Sequence, residues 1–166
     1  MRRSLTDTII EILKQLFGSS KKPSPTKGQP SAPPKGGAAT SDVHDKNLHF
    51  EYSPCLDGDP DPGEVVWAWV PYEEDPSQGK DRPVAIIGRR GDHLLGVPLT
   101  SKVKHNELQV SVGTGKWDRE GRESFAKVER LLDVVPNRVR REGDVLSRQH
   151  FDAIVAGVQT AQRRGR

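Results

Sequence analysis

Apolar and polar residues alternate over several short segments in the middle of the chain, which is the pattern of β-strands. In the first segment the large side chains stand at alternate positions, at Val65, Trp67 and Trp69, as in a strand with one buried face. Two nearly apolar segments flank the turn 90–92 and predict a hairpin at the centre of a sheet. We expect about five strands, at 64–70, 83–88, 93–99, 108–112 and within 124–135.

A C-terminal helix is predicted because Phe151, Ile154, Val155 and Val158 recur at helical spacing and form one apolar face. Ser147 precedes this pattern and is a suitable N-cap residue. Short strands followed by one terminal helix predict a mainly β domain of the α+β class. The expected fold is a small, curved, SH3-like barrel with a helical cap.

The pattern divides the chain into three parts. Residues 1–18 predict an amphipathic helix, since apolar residues between 5 and 16 form one stripe that must be buried on the domain, a partner or a membrane. Both signs of charge on its polar face disfavour the membrane. Residues 19–47 are rich in Pro, Gly, Ser and Lys and predict a flexible linker. Residues 48–166 form the folded domain.

Composition excludes several classes of protein. The chain has 166 residues, one cysteine and a net charge of +3, which is compatible with a polyanionic partner. A single thiol excludes an internal disulfide and any zinc site built on several cysteines, and it fits a reducing cytosol. No apolar run is long enough for a membrane span or a secretory signal. We therefore expect a cytoplasmic protein that does not contact a membrane.

No sequence motif indicates a metal or a cofactor, so we expect none. The acidic run from Asp57 resembles a calcium loop, but its sixth position is Pro62 and its twelfth is Ala68, where that loop needs Gly and Glu. The histidines lack metal-ligand spacing, and Gly-rich phosphate loops and nucleophile turns are absent from the sequence. His105, beside two lysines, remains a candidate phosphate contact.

Arg82 and Thr100 are the strongest candidates for chemistry. Arg82 stands where one strand of the predicted hairpin begins, and Thr100 where the other ends, so the hairpin brings both to one edge. There a guanidinium lies near the hydroxyls of Thr100 and Ser101, with Lys102 adjacent, and this group can hold a phosphate. The alternative is a salt bridge between loop and sheet beside a polar strand end.

Short motifs follow one another along the chain before the terminal helix, at Gly63–Trp67, Gly79–Val84, Pro98–Ser101, Arg122–Ser124 and Val128–Arg130. Their order resembles the MazF/PemK family, the toxins of bacterial type II toxin–antitoxin pairs. The segments Tyr52–Pro54 and Pro71–Asp75 resemble in particular an actinobacterial branch of that family. The resemblance spans about residues 62–161. It implies a MazF/PemK/CcdB-like fold, a homodimer and a cognate antitoxin. It also implies a metal-independent endoribonuclease, an mRNA interferase that cuts single-stranded RNA at short sequence motifs.

In the reaction that the resemblance implies, the ribose 2′-hydroxyl attacks the adjacent phosphorus and leaves a 2′,3′-cyclic phosphate and a 5′-hydroxyl. Arg82 matches the residue that handles protons and stabilises the pentavalent phosphate, and Thr100 matches the hydroxyl that hydrogen-bonds it. By motif, five further residues fall near the RNA groove. The five are Ser101, Lys102, Ser124, Glu129 and Arg130. The loop residue Trp117 is a candidate for stacking on a base, and the alternative is that it packs over the barrel.

A second hypothesis is a catalytically silent barrel of the same descent that binds nucleic acid or a protein partner, since one fold can host both functions. Relatives of the family inhibit a topoisomerase by protein contact. A third hypothesis concerns the N-terminal helix, whose apolar stripe would dock where an antitoxin binds.

Overall fold

The predicted hairpin around the turn 90–92 is present, and its two strands are the longest of the sheet. A computed structural model of the chain describes residues 30–140 and 144–165 and forms seven strands and one α-helix within them. The strands are β1 Thr40–Asp42, β2 Val65–Pro71, β3 Gly79–Arg90, β4 His93–Thr100, β5 Gln109–Gly113, β6 Ser124–Lys127 and β7 Leu132–Val134. A 3₁₀ turn spans Pro136–Arg138, and helix α1 spans Arg148–Arg164.

The sheet is antiparallel throughout and curls around β4. Its order is β1-β7-β4-β3-β2, with β5 paired to β6. One edge of β4 pairs with β3, whereas the other edge is shared between two strands. Residues 94–96 pair with β7, and Leu99 and Thr100 pair with β6. Because one edge serves two strands in turn, the sheet bends into a half-barrel, which confirms the predicted curved barrel of MazF/PemK/CcdB type.

A one-residue bulge in β3 sets the register of the hairpin. On the turn side Gly88 is opposite Leu95, whereas beyond the bulge Ile86 is opposite Gly96, so Ile87 is the extra residue. A shift of one residue exchanges the two faces of a strand. The bulge therefore decides which side chains of β3 face those at the end of β4.

Both faces of the hairpin are buried, in two separate clusters. Alternate residues such as Ile87 and Leu95 pack with α1, and Ile86 and Leu94 pack with β2 and β7 on the other face. Helix α1 begins as predicted, since Ser147 Oγ accepts a hydrogen bond from the His150 backbone N–H at 3.1 Å. Its buried residues are Phe151, Ile154 and Val158. Within the described residues, no helix has the length and apolarity to cross a membrane.

Two of the strand predictions need correction. β2 is buried on both faces, not one, because Val65 belongs to the cluster under α1 and Val66 to the opposite cluster, while Trp67 keeps partial exposure. The single strand expected within 124–135 is split into β6 and β7. A turn separates them, in which the Arg130 N–H donates to the Lys127 carbonyl at 3.0 Å.

The prediction of a flexible linker up to residue 47 is wrong for its final part. Residues 40–42 form β1, which pairs with β7, and Val43 is buried. Ser31 exchanges two backbone hydrogen bonds with Gly79, at 2.8 and 2.9 Å. These backbone bonds favour order where the composition favours disorder. The predicted N-terminal helix and the linker up to residue 29 lie outside the described residues.

A substitution at Gly88, next to the bulge, tests how closely the segment before β2, here residues 49 and 50, packs on β3. A Cβ atom at this position would overlap the His49 backbone carbonyl oxygen. We expect Gly88→Ala to lower the free energy of unfolding by about 1–3 kcal/mol, as overpacking of a tight site does. Thermal denaturation measures this loss.

Gly165→Ala is the matched control, because its Cβ would meet only ordinary contacts at 3.7 Å or more and its φ is −80°. Equal melting temperatures for the two variants would contradict the close packing of residues 49–51 on β3.

Candidate active site

Arg82 and Thr100 lie opposite each other at one edge of the hairpin. Val84 is paired with Pro98, and the same register continued for two residues places Arg82 opposite Thr100. Each residue is also held from its other side, Arg82 by pairing with Ala68 of β2 and Thr100 by pairing with Phe125 of β6. Four strands, β2, β3, β4 and β6, therefore fix the relative positions of the two residues.

The Arg82 guanidinium is partly buried, and its Nε atom has no hydrogen-bond acceptor among the described residues. Other arginines of the sheet are paired: Arg89 with Asp61 and Arg90 with Asp133, both at 2.7 Å. Burial lowers the pKa of Arg82, and the nearby charge of Arg130 lowers it further. A buried cationic donor without an acceptor is costly. Arg82 is therefore a suitable site for an anion.

The Thr100 hydroxyl is held by its own loop. Its Oγ1 accepts the Lys102 backbone N–H at 3.1 Å, so the hydroxyl proton remains available for a ligand. The Gln109 side chain forms two hydrogen bonds with the backbone of this loop. It accepts from the Lys104 N–H at 3.0 Å and donates to the Lys102 carbonyl at 3.3 Å. Ser101 and Lys102 are exposed within the same loop.

Lys80 adds a third cation to this edge. Burial lowers its pKa, and the positive charges of Arg82 and Lys102 lower it further. Lys80 and Arg82 stand two residues apart in β3, so their side chains project from the same face. Lys80, Arg82 and Lys102 form what we call the basic edge, whose positive potential attracts phosphate.

Arg130 is almost fully buried and is held by groups from two other parts of the chain. Only 7% of its surface is exposed. Its Nε and Nη2 donate to the Asp42 carboxylate at 2.7 and 3.1 Å, and Nη2 also donates to the Pro71 carbonyl at 2.8 Å. The predicted contact between Arg130 and RNA is thus restricted to the remaining edge of the guanidinium, Nη1.

A pocket of about 200 Å³ adjoins Arg130. Its lining brings together carboxylates, cations and one leucine. Glu129, which the sequence placed near the RNA groove, lies here and is exposed. The lining residues are Glu73, Glu107, Leu108, Lys127, Glu129 and Arg130.

Two residues predicted to contact RNA are instead buried. Trp117 is 3% exposed and belongs to the core cluster under α1, which contradicts its predicted stacking on a base. Its Nε1 donates to Ser124 Oγ at 3.0 Å. Ser124 is also 3% exposed, so its hydroxyl serves the tryptophan and does not face a groove. The glycine-flanked loop of Trp117 folds inward because the indole completes the core.

A comparison with protein families agrees with this fold. The model of the PemK-like, MazF-like toxin of type II toxin–antitoxin systems matches residues 61–161, which is more than half of the chain. The chain belongs to this toxin family. Membership implies an antitoxin partner and, in general, endoribonuclease activity. Among curated proteins, none matches the chain.

The sequence did not identify every residue that builds the site of this toxin. Lys80 was detectable from its charge and its position two residues before Arg82, but the predicted strand began at residue 83, whereas β3 begins at Gly79. The sequence places Gln109 in a strand, but its side-chain hydrogen bonds to the backbone of Lys102 and Lys104 depend on tertiary structure. Asp42 carried no local signal, because it lies in a polar segment before the family match begins.

One group in the described part of the toxin has the spacing of a metal site. The possible ligand atoms of Cys55, Asp57 and Asp61 lie within 4.8 Å of one another. Asp61 pairs with Arg89, near the opposite end of β3 from Arg82. The neighbouring carboxylates, first of all Asp57, raise the pKa of the Cys55 thiol. This group is not part of the candidate active site.

Ser124→Ala tests the buried role of Trp117 in the toxin. The substitution leaves the indole N–H without its acceptor, so we expect the free energy of unfolding to fall by about 1–3 kcal/mol. Ser41→Ala, at an exposed position of β1, is the matched control and should have little effect. Chemical denaturation measures both, and equal stability of the two variants would contradict this burial.

Proposed function

We propose that the toxin is an endoribonuclease that cuts single-stranded RNA at short sequence motifs without a metal. The observation that carries this proposal is the partly buried Arg82 opposite Thr100, because the Arg82 Nε has no acceptor in the described part of the chain. Membership of the family supports the class of activity. By the same resemblance we propose that the toxin acts as a homodimer in the cytoplasm.

The proposed reaction needs no group beyond the RNA itself as nucleophile. The ribose 2′-oxygen forms a bond to the adjacent phosphorus, the bond from phosphorus to the 5′-oxygen breaks, and a 2′,3′-cyclic phosphate results. The 2′-hydroxyl loses its proton, and the leaving 5′-oxygen gains one. The enzyme therefore has two tasks, to stabilise the negative charge on the phosphate and to support these proton transfers.

Arg82 and Thr100 suit the first task. The Arg82 Nε, which has no acceptor within residues 30–140 and 144–165, and the Thr100 hydroxyl can both donate hydrogen bonds to a phosphate oxygen. Lys80 and Lys102 add positive potential around them. Each preorganised donor of this kind is typically worth about 3 kcal/mol in the transition state, or roughly a hundredfold in rate.

Arg82 also suits part of the second task. An arginine is ordinarily a poor acid or base because its pKa lies above about 12. Burial and the charge of Arg130 lower the pKa of Arg82, which is the direction that proton transfer near neutral pH requires. Electrostatic stabilisation remains its larger role in the proposal.

Cleavage assays with a single-stranded RNA in EDTA test the proposal. We expect Arg82→Ala to lower kcat by about a hundredfold or more, and Thr100→Val by about tenfold to a hundredfold, since each removes a donor to the phosphate. The products should carry 5′-hydroxyl ends, which a polynucleotide kinase can label directly.

Arg89→Ala is the matched control, because Arg89 lies in the same strand and pairs with Asp61 and Glu51 away from the basic edge. Full activity of Arg82→Ala would contradict the proposal. A folded wild-type protein that binds several RNAs and cleaves none would instead favour the silent binding module.

A further inference from the structure

The contact between Asp42 and Arg130 joins strand β1 to the candidate site. It is bidentate, with both carboxylate oxygens of Asp42 accepting from the guanidinium. Such fork-shaped pairs fix the orientation of an arginine as well as its charge. The Arg130 side chain is 8% exposed and that of Asp42 is 33% exposed, so the pair is shielded from water on the arginine side.

The Asp42 carboxylate is itself held firmly by the strand around it. β1 pairs with β7 over all three of its residues. Thr40 Oγ1 donates to the Trp69 carbonyl at 2.9 Å, and the Val43 N–H donates to the Leu131 carbonyl at 2.9 Å. A carboxylate on a strand fixed at both ends is a rigid acceptor. Asp42 can therefore determine where Arg130 points.

The pair leaves one edge of Arg130 for a ligand. Nε and Nη2 are used by Asp42 and Pro71, whereas Nη1 makes no hydrogen bond to the described residues. Arg130 lines the pocket beside Glu129, and its charge acts on Arg82. Two guanidiniums with unused donors thus lie close together, one in the candidate active site and one next to it.

We propose that Asp42 is a positioning residue of the RNA-binding site: it orients Arg130 so that the Nη1 edge binds a backbone phosphate next to the one at Arg82. The inference rests on the proposed function, because it assigns a further contact to the same RNA. It also extends the site to a segment that precedes the residues matched by the toxin family, 61–161.

The direction in which RNA affinity changes when the Asp42 carboxylate is removed distinguishes a positioning role from a purely electrostatic one. Asp42 is negative, so its removal should strengthen RNA binding if the carboxylate acts only as a charge near the groove. If Asp42 positions Arg130, its removal should weaken binding, because the guanidinium loses its orientation. Asp45→Asn measures the charge effect alone: Asp45 lies in the same segment but pairs with Arg90 near the hairpin turn.

The test is the affinity of full-length Asp42→Asn for a 2′-O-methyl RNA oligonucleotide, which cannot be cleaved, measured by fluorescence anisotropy at several salt concentrations. We expect about a tenfold loss of affinity, as for a charged hydrogen bond. The slope of log K against log salt should fall by about 0.7, which corresponds to one lost phosphate contact on a single strand. Asp45→Asn should bind as well as wild type or slightly more tightly.

Asp42→Glu is the second variant, and it guards against a loss of folding. It keeps the charge and both acceptors, so it should recover most of the affinity and the salt slope if the carboxylate orients Arg130. Thermal denaturation of all variants sets an assay temperature at which each is folded. Asp42→Asn that is folded and binds RNA with unchanged or higher affinity and an unchanged slope overturns the proposal.

The outcome is distinguishable from failure of the proposed enzyme. A wild-type protein that cleaves RNA, with Asp42→Asn binding normally, contradicts only the role of Asp42. A wild-type protein that binds RNA without cleaving it, with Asp42→Asn binding more weakly, contradicts only the enzymatic activity. A wild-type protein that does not bind RNA overturns both.

Discussion

The register of the β3–β4 hairpin is the constraint on which the sheet and the candidate site both depend. The bulge at Ile87 shifts the pairing by one residue, so Arg82 falls opposite Thr100 and not opposite Ser101. Without the bulge, the side chains of β3 from Ile86 back to Gly79 would point to the opposite face of the sheet from their present one, relative to the end of β4. Because residues on both faces are buried in separate clusters, such an exchange would move apolar side chains between them. The packing that stabilises the fold thereby also sets the geometry of the site.

Two arginines, the buried Arg130 and the partly buried Arg82, differ in how their charge is compensated. Removing a guanidinium from water is costly unless acceptors replace the lost hydration. Arg130 has such acceptors in Asp42 and Pro71, which fix the orientation of its guanidinium. The Nε of Arg82 has none among the described residues, and the two cations also repel each other. A bound phosphate would relieve both costs, which is the physical reason to place the substrate there.

Local patterns were sufficient for much of this architecture. The turn 90–92 with its apolar flanks predicted the hairpin, and the spacing from Phe151 to Val158 predicted α1. The antiparallel strands of the hairpin predicted that Arg82 and Thr100 meet at one edge. Tertiary contacts decided the rest. A tryptophan in a loop can either stack on a base or be buried in the core. For Trp117, burial follows from its place in the core and from the Ser124 hydroxyl that accepts its indole N–H. β1 has a polar sequence in a Pro- and Gly-rich stretch, so its order comes from β7 and Arg130 and leaves no periodic signal.

The central claim is that a phosphate of the RNA binds between Arg82 and Thr100. The most direct measurement is a crystal structure of the toxin with an RNA whose reactive 2′-hydroxyl is replaced by hydrogen. The account predicts a phosphate whose oxygens accept from the Arg82 guanidinium and the Thr100 hydroxyl within about 2.7–3.1 Å. An RNA bound in full density on another face, with Arg82 still without an acceptor, would contradict it.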